Sequence, residues 1–151
     1  MLSIDHDLMK EAIFEAQKAF VQGEVPVGAL AVSSGGEILA RAHNQTLNQG
    51  DPCAHAEMLV IKEAAQKLGY HRLTDVTIYV TLEPCAMCAG AMVQARIKRL
   101  VFATRDWSAG AAGTVVNILN HPAFNHRVKF DEGCFQEEAK NLLQDFFQQR
   151  R

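Results

Sequence analysis

Two short segments, His55-Ala56-Glu57 and Glu83-Pro84-Cys85-Ala86-Met87-Cys88, restrict what this chain can fold into, because their side chains make chemical sense only if they meet. Together they offer one imidazole and two thiols, three zinc ligands of the usual kind, and in Glu57 a carboxylate beyond the ligand count. Four protein ligands close a structural zinc site. Three leave the fourth position to water, and a carboxylate beside that water can take its proton. The pattern points to a catalytic metal centre.

Spacing predicts the local geometry. Cys85 and Cys88 fall on one face of a helical turn, and Pro84 suits a first turn, where its missing N–H is no loss. A helix N-terminus would also favour the thiolates. His55 and Glu57, two apart, diverge within a helix and can converge only at its end. The apolar-periodic run Ala56, Leu59, Val60, Ala64, Leu68 starts there and Gly69 supplies a stop, so two helix N-termini should face one zinc. Two thiolates and a neutral imidazole nearly cancel the metal's charge, so its water is acidified less than in a three-imidazole site and needs a general base. Glu57 is that base: it would carry a proton from water to a ring nitrogen, then to a departing amine. H-x-E paired with P-C-x-x-C is the signature of zinc nucleobase deaminases. A lone C-x-x-C also fits structural zinc, a redox pair or buried thiols. A redox pair has no use for His55 or Glu57, a noncatalytic zinc-stabilised RNA-binding module has none for Glu57, and a disulfide is not expected.

The 151 residues, 48% apolar and 21% charged, suit one domain spanning 1–151 with a sizeable core. The early acids Asp5 and Asp7 and the lack of a long apolar stretch argue against a secretory or transit peptide and against a membrane span. Four cysteines, two assigned to metal, fit a reducing compartment, and the expected location is cytoplasmic. A net charge of −2 gives no global nucleic-acid signature. Basic surface must be local: Arg96, Lys98, Arg99 and Arg105 around one strand, Arg127 and Lys129, and the tail Gln148-Gln149-Arg150-Arg151, each also compatible with a plain solvated face.

Periodicity predicts a first helix through Leu8, Ala12, Ile13, Ala16 and Phe20 to Gly23, then strands over 25–32 and 37–42 around a Ser33-Ser34-Gly35-Gly36 turn. A strand over 76–81, the Cys85 helix and a strand over 100–103 follow, an alternation that implies parallel pairing. Residues 104–113 read as a loop near the site, 114–120 as a short helix, and Phe135 to Phe147 as a closing helix. The expected class is α/β, a three-layer α-β-α arrangement with a mixed sheet of about five strands and helices on both faces.

The segments Asp51-Pro52-Cys53-Ala54-His55-Ala56-Glu57, Thr81 through Met92, Gly110-Ala111-Ala112-Gly113 and His121 through Arg127 resemble the bacterial tRNA-specific adenosine deaminases, of the cytidine deaminase-like superfamily, over nearly the whole chain. The metal motif alone is shared by many such enzymes; the long second segment and Asn125-His126-Arg127 are more specific. The resemblance implies a homodimer with one Zn2+ per subunit that converts adenosine to inosine at the wobble position of a tRNA anticodon stem-loop. It places zinc on His55, Cys85 and Cys88 and proton transfer on Glu57. It assigns Asn44 and the Ala56 backbone to contacts with the base, and Val25 and Pro26 to an apolar pocket wall. Phe146-Phe147 with Arg150-Arg151 resembles a clamp on the anticodon loop, although a Phe pair at helical spacing equally suits a core. Asn44 equally suits a turn and Val25 a strand core. The alternative substrate class is a free base or nucleoside such as guanine, cytosine or cytidine, deaminated by the same zinc chemistry.

Two positions depart from the family's pattern. Cys53 replaces a common Thr; its place near His55 invites a further ligand, but a fourth would close the site, so a small buried residue is expected. Trp107-Ser108 replaces more polar or charged residues, so the family's phosphate contact is not carried over to this loop, and the alternative expectation is an exposed indole that stacks on a loop base.

Overall fold

In the three central strands, Gly28–Val32, Thr77–Leu82 and Arg99–Thr104, both sets of alternating residues are buried, as a sheet covered on two faces requires. The computed structural model describes residues 2–150; Arg151 of the basic tail lies outside them. The elements are α1 (Ser3–Val21), β1 (Gly28–Val32), β2 (Ile38–His43), α2 (Thr46–Gln49), α3 (Ala56–Leu68), β3 (Thr77–Leu82), α4 (Ala86–Gln94), β4 (Arg99–Thr104), β5 (Lys129–Glu132) and α5 (Gln136–Gln148). The sheet order is β2-β1-β3-β4-β5. β1 runs antiparallel to both neighbours, whereas β3, β4 and β5 are mutually parallel. Ala29, Ala31, Ile78, Val80, Leu100 and Phe102 face α3 and α4, where Val60, Ala64, Ala89 and Met92 cover them. Leu30, Val32, Tyr79, Val101 and Ala103 face α1 and α5 through Met9, Ala12, Ile13 and Ala139. The expected three-layer mixed sheet is therefore present. α1 lies so close to β1 that a Cβ on Gly28 would strike the Ala12 carbonyl and stand 2.6 Å from the Ala16 nitrogen.

The structure corrects several boundaries. The strand expected over 25–32 begins only at Gly28; Val25 and Pro26 precede it in a turn where the Val27 N–H donates to the Val25 carbonyl at 2.8 Å. No helix forms over 114–120. That segment is irregular, with an isolated bridge between Ala112 and Asn117, and the Ile118 and Leu119 N–H groups donate back to the Ala111 carbonyl at 3.0 and 3.3 Å instead of along a helical ladder. Phe135 lies outside the last helix as its N-cap, in the left-handed region at φ 58°. The fifth strand, Lys129-Phe130-Asp131-Glu132, was not located by pattern because it is a short polar edge strand. Its partner register, Leu100 opposite Phe130, is supported by Phe130 stacking on Phe102 at 5.5 Å. No helix among the described residues is long and apolar enough to cross a membrane.

One buried carboxylate ties the first helix to the sheet. Asp5 accepts hydrogen bonds from Tyr79 Oη at 2.6 Å, from both Arg99 terminal nitrogens at 3.0 and 2.8 Å, and from the Leu2 N–H at 2.9 Å. Burial pushes its pKa up, but Arg99, Tyr79 and the Leu2 N–H together outweigh this and hold it at about 2. The unfolded value is about 3.9, so the charged form contributes stability above pH about 4 that is lost as pH falls through about 2. Asp5→Asn is expected to cost about 3 kcal/mol in urea unfolding at pH 7. The gap from wild type should close as pH falls from about 4 to about 2.

Candidate active site

The site forms where two helices start beside the C-terminal end of β3, the edge of a parallel sheet at which ligand sites are commonly built. His55 is the N-cap of α3 and Cys85 the N-cap of α4, both with extended backbone (φ −74° each), and Cys88 lies in the first turn of α4. Pro84 therefore stands one residue before the cap, outside the first turn expected for it. The two starts bring His55 Nδ1 to 3.6 Å from Cys85 Sγ and 3.5 Å from Cys88 Sγ. All three donor atoms lie within 4.8 Å of one another. A tetrahedral zinc with its usual bond lengths separates a nitrogen and a sulfur ligand by about 3.6 Å, so the donor set fits a zinc site in both chemistry and spacing.

The protonation states are mutually dependent. A hydrogen bond with Cys88 holds the Cys85 thiol down to about 4 against the opposing effect of burial, with His55 adding to the lowering. Cys88 is in turn pushed far up by Cys85, and its burial adds to this. His55 is raised, chiefly by its hydrogen bond with Cys85. Glu57, in the first turn of α3, is 4% exposed and interacts with both His55 and Cys88; burial raises its pKa to about 7. A carboxyl near 7 can both take and give a proton at neutral pH.

Asn44 follows β2 and is buried, its N–H donating to the Val27 carbonyl at 3.1 Å. Its side-chain oxygen accepts the Ala56 N–H at 2.9 Å, which fills one unpaired donor at the start of α3 and leaves the Asn44 amide N–H2 outside that bond. This is more than a turn residue. The Ala56 backbone, for which the resemblance implies a contact with the base, gives its N–H to Asn44. Val25 is half-buried and Pro26 buried in the turn whose Val27 carbonyl holds Asn44. Of the Phe pair, Phe146 is interior: it is 4% exposed, packs edge-on to Phe20 at 6.1 Å and lies under the Arg150 guanidinium at 3.5 Å, so only Phe147 faces solvent. Cys53 is exposed, against the expectation of a buried residue, in a turn where its N–H donates to Asp51. It is not part of the donor cluster.

Two buried acids carry work that the motif did not assign to them. Glu83 accepts the N–H groups of Asp106, Ala112 and Thr114 at 3.1, 2.9 and 3.3 Å and the Thr114 hydroxyl. Gly110 presses so closely on this carboxyl that a Cβ there would collide with it. The Ala111 N–H donates to the Pro84 carbonyl at 2.8 Å, so the loop after β4 is fastened to the two residues preceding Cys85. Glu24, fully buried, accepts from the Leu47 and Asn48 N–H groups at 3.1 and 2.8 Å and so holds the segment after Asn44. An acid inside an apolar stretch, as in Thr81-Leu82-Glu83-Pro84, was the one available signal.

Residues 4–151 match the family described as MafB19-like deaminase. A tRNA-specific adenosine deaminase of Bacillus subtilis (strain 168) is 49% identical over 147 residues, 97% of this chain and 91% of that one. The chain belongs to the tRNA-specific adenosine deaminase family. Within solved structures, one from studies of A-to-I editing by tRNA:A34 deaminases at the wobble position superposes with a TM-score of 0.87 at 39% identity, over 91% of this chain and 99% of that one. A guanine deaminase from Bacillus subtilis gives 0.65 at 30% identity, over 99% and 94%. The family's sheet and helices thus agree with the fold described above.

If Glu83 fastens the loop, Glu83→Ala should cost at least about 2 kcal/mol, since buried donors lose a charged acceptor. Hydrogen exchange should speed up over residues 106–114 and stay slow in α3 and β3.

Proposed function

We propose that the chain is a zinc-dependent hydrolase that deaminates adenosine to inosine at the wobble position of a tRNA anticodon, acting as one deaminase domain over 1–151 and as a homodimer in the cytoplasm. The observation that carries this reading is the buried Glu57 carboxyl set against a three-donor cluster in a member of this family. His55, Cys85 and Cys88 would hold one Zn2+ per subunit. The metal when bound supplies a Lewis acid that brings water's pKa toward neutrality.

The chain's own groups do the rest. Glu57 takes a proton from water and delivers it to the adenine ring nitrogen next to C6, and a later proton passes through the same carboxyl to the departing amine. Water supplies the oxygen at C6, and ammonia leaves. Asn44, oriented by the Ala56 N–H, presents its amide N–H2 to an acceptor on the base, while Val25 and Pro26 form an apolar wall. Phe147, from α5, remains available for contact with the RNA. An adenine stacked in a duplex is out of reach of such a pocket, whereas an anticodon loop offers bases already splayed out, so little unpairing energy opposes binding. Exchanging the amino donor for a carbonyl acceptor changes the wobble pairing.

The test is inosine formation in a short anticodon stem-loop at equal zinc content. Glu57→Ala should keep its zinc and lose about 10²- to 10⁴-fold in kcat. Cys88→Ala should lose both zinc and activity. Ammonia release from guanine, cytosine or cytidine without RNA, with none from the stem-loop, would transfer the assignment to a small-molecule deaminase.

A further inference from the structure

A groove of about 700 Å³ runs between the loop after β4 and α5, within the size range of ligand sites. Arg105 and Trp107 form its loop side, and Gln136, Lys140, Gln144 and Phe147 line the α5 side. Trp107 is 80% exposed and Phe147 51% exposed, so two aromatic side chains stand in water at one place. The indole is held by a backbone that is ordered on both sides. Asp106 accepts from the Ser108 and Ala109 N–H groups and the Ser108 hydroxyl at 3.0, 3.1 and 2.8 Å, while its own N–H donates to Glu83. The Gly110 N–H then returns to the Asp106 carbonyl at 2.9 Å. Little ordering entropy would therefore be lost when a ligand meets Trp107.

The lining's chemistry selects the ligand. Two cations, Arg105 and Lys140, are balanced by Glu132 and Asp145, and Arg105 is already paired with Glu132 at 2.6 Å. The groove therefore lacks the excess positive charge that phosphate binding draws on. Aromatic faces beside glutamine amides suit a planar, uncharged group with hydrogen-bonding edges, which is a nucleobase. The loop that carries Trp107 is tied to the candidate active site, since Glu83 and Pro84, the two residues before Cys85, accept its Asp106 and Ala111 N–H groups.

We propose that this groove is a second nucleobase subsite, in which an unpaired base close to the target adenosine in the RNA loop stacks on Trp107; this rests on the RNA-deaminase reading above. Trp107 selects and positions RNA and takes no part in proton transfer.

The test uses the zinc-loaded full chain and anticodon stem-loops, one intact and others each carrying a single abasic residue in the loop. Trp107→Ala should raise KM for the intact stem-loop about 10-fold or more, as lost base stacking predicts, with kcat within about twofold of wild type. Trp107→Phe should recover most of the loss. At one abasic position wild type and Trp107→Ala should become equal, which identifies the stacked base. An unchanged KM in Trp107→Ala, with wild type active on the stem-loop, overturns the subsite alone. So does a KM penalty that persists at every abasic position, or one accompanied by dissociation of a dimer in sedimentation, which would make Trp107 a contact between copies of the chain. Wild type inactive on every stem-loop instead overturns the RNA-deaminase reading.

Discussion

The structure depends on one convergence: two helices must begin at the same point in space. Each helix N-terminus presents unpaired N–H groups and a partial positive charge, and here the caps themselves are His55 and Cys85, two of the three residues whose donor atoms cluster. The sheet makes this possible. β3 delivers the chain directly to Cys85, while α3 packs on the same face of the sheet through Val60 and Ala64. With His55 and Cys85 at the caps, Glu57 and Cys88 fall in the first turns, which resolves the difficulty that residues two apart on a helix point apart. Burial then sets the chemistry, because the environment that keeps Glu57 from water raises its pKa to about 7.

Three buried acids hold the elements that surround this point. Asp5 fixes the start of α1 to β3 and β4 through Tyr79 and Arg99, Glu24 fixes the segment beyond Asn44, and Glu83 fixes the loop beyond β4. In each case the carboxylate collects several donors, the arrangement that makes a buried charge tolerable. The segments around the donor cluster are thereby ordered by carboxylates that are not part of it.

The His55, Cys85 and Cys88 donor cluster and Glu57 were legible because their residue types and spacings are chemically restrictive, and the helix starts followed from one apolar run and one proline. The sheet's class was legible from alternating apolar segments, but β5 was not, since Lys129, Asp131 and Glu132 give an edge strand no apolar signature. The helix expected over 114–120 failed because periodicity carries no information about the Ala111 carbonyl, which takes the Ile118 and Leu119 N–H groups that a helix would pair with Thr114 and Val115. Phe146 and Phe147 are adjacent and alike, yet only packing against Phe20 and Arg150 decides which is core. Exposure of Cys53 was likewise a matter of the Asp51 turn rather than of residue type.

The most direct measurement of the convergence is zinc-edge X-ray absorption on the purified chain, with metal content determined in parallel. The expected result is one zinc per chain with two sulfur neighbours at about 2.3 Å, one imidazole nitrogen at about 2.0 to 2.1 Å and a light atom in the fourth position. A third sulfur, which would bring in Cys53 and close the site, or a chain that takes up no zinc, would contradict it.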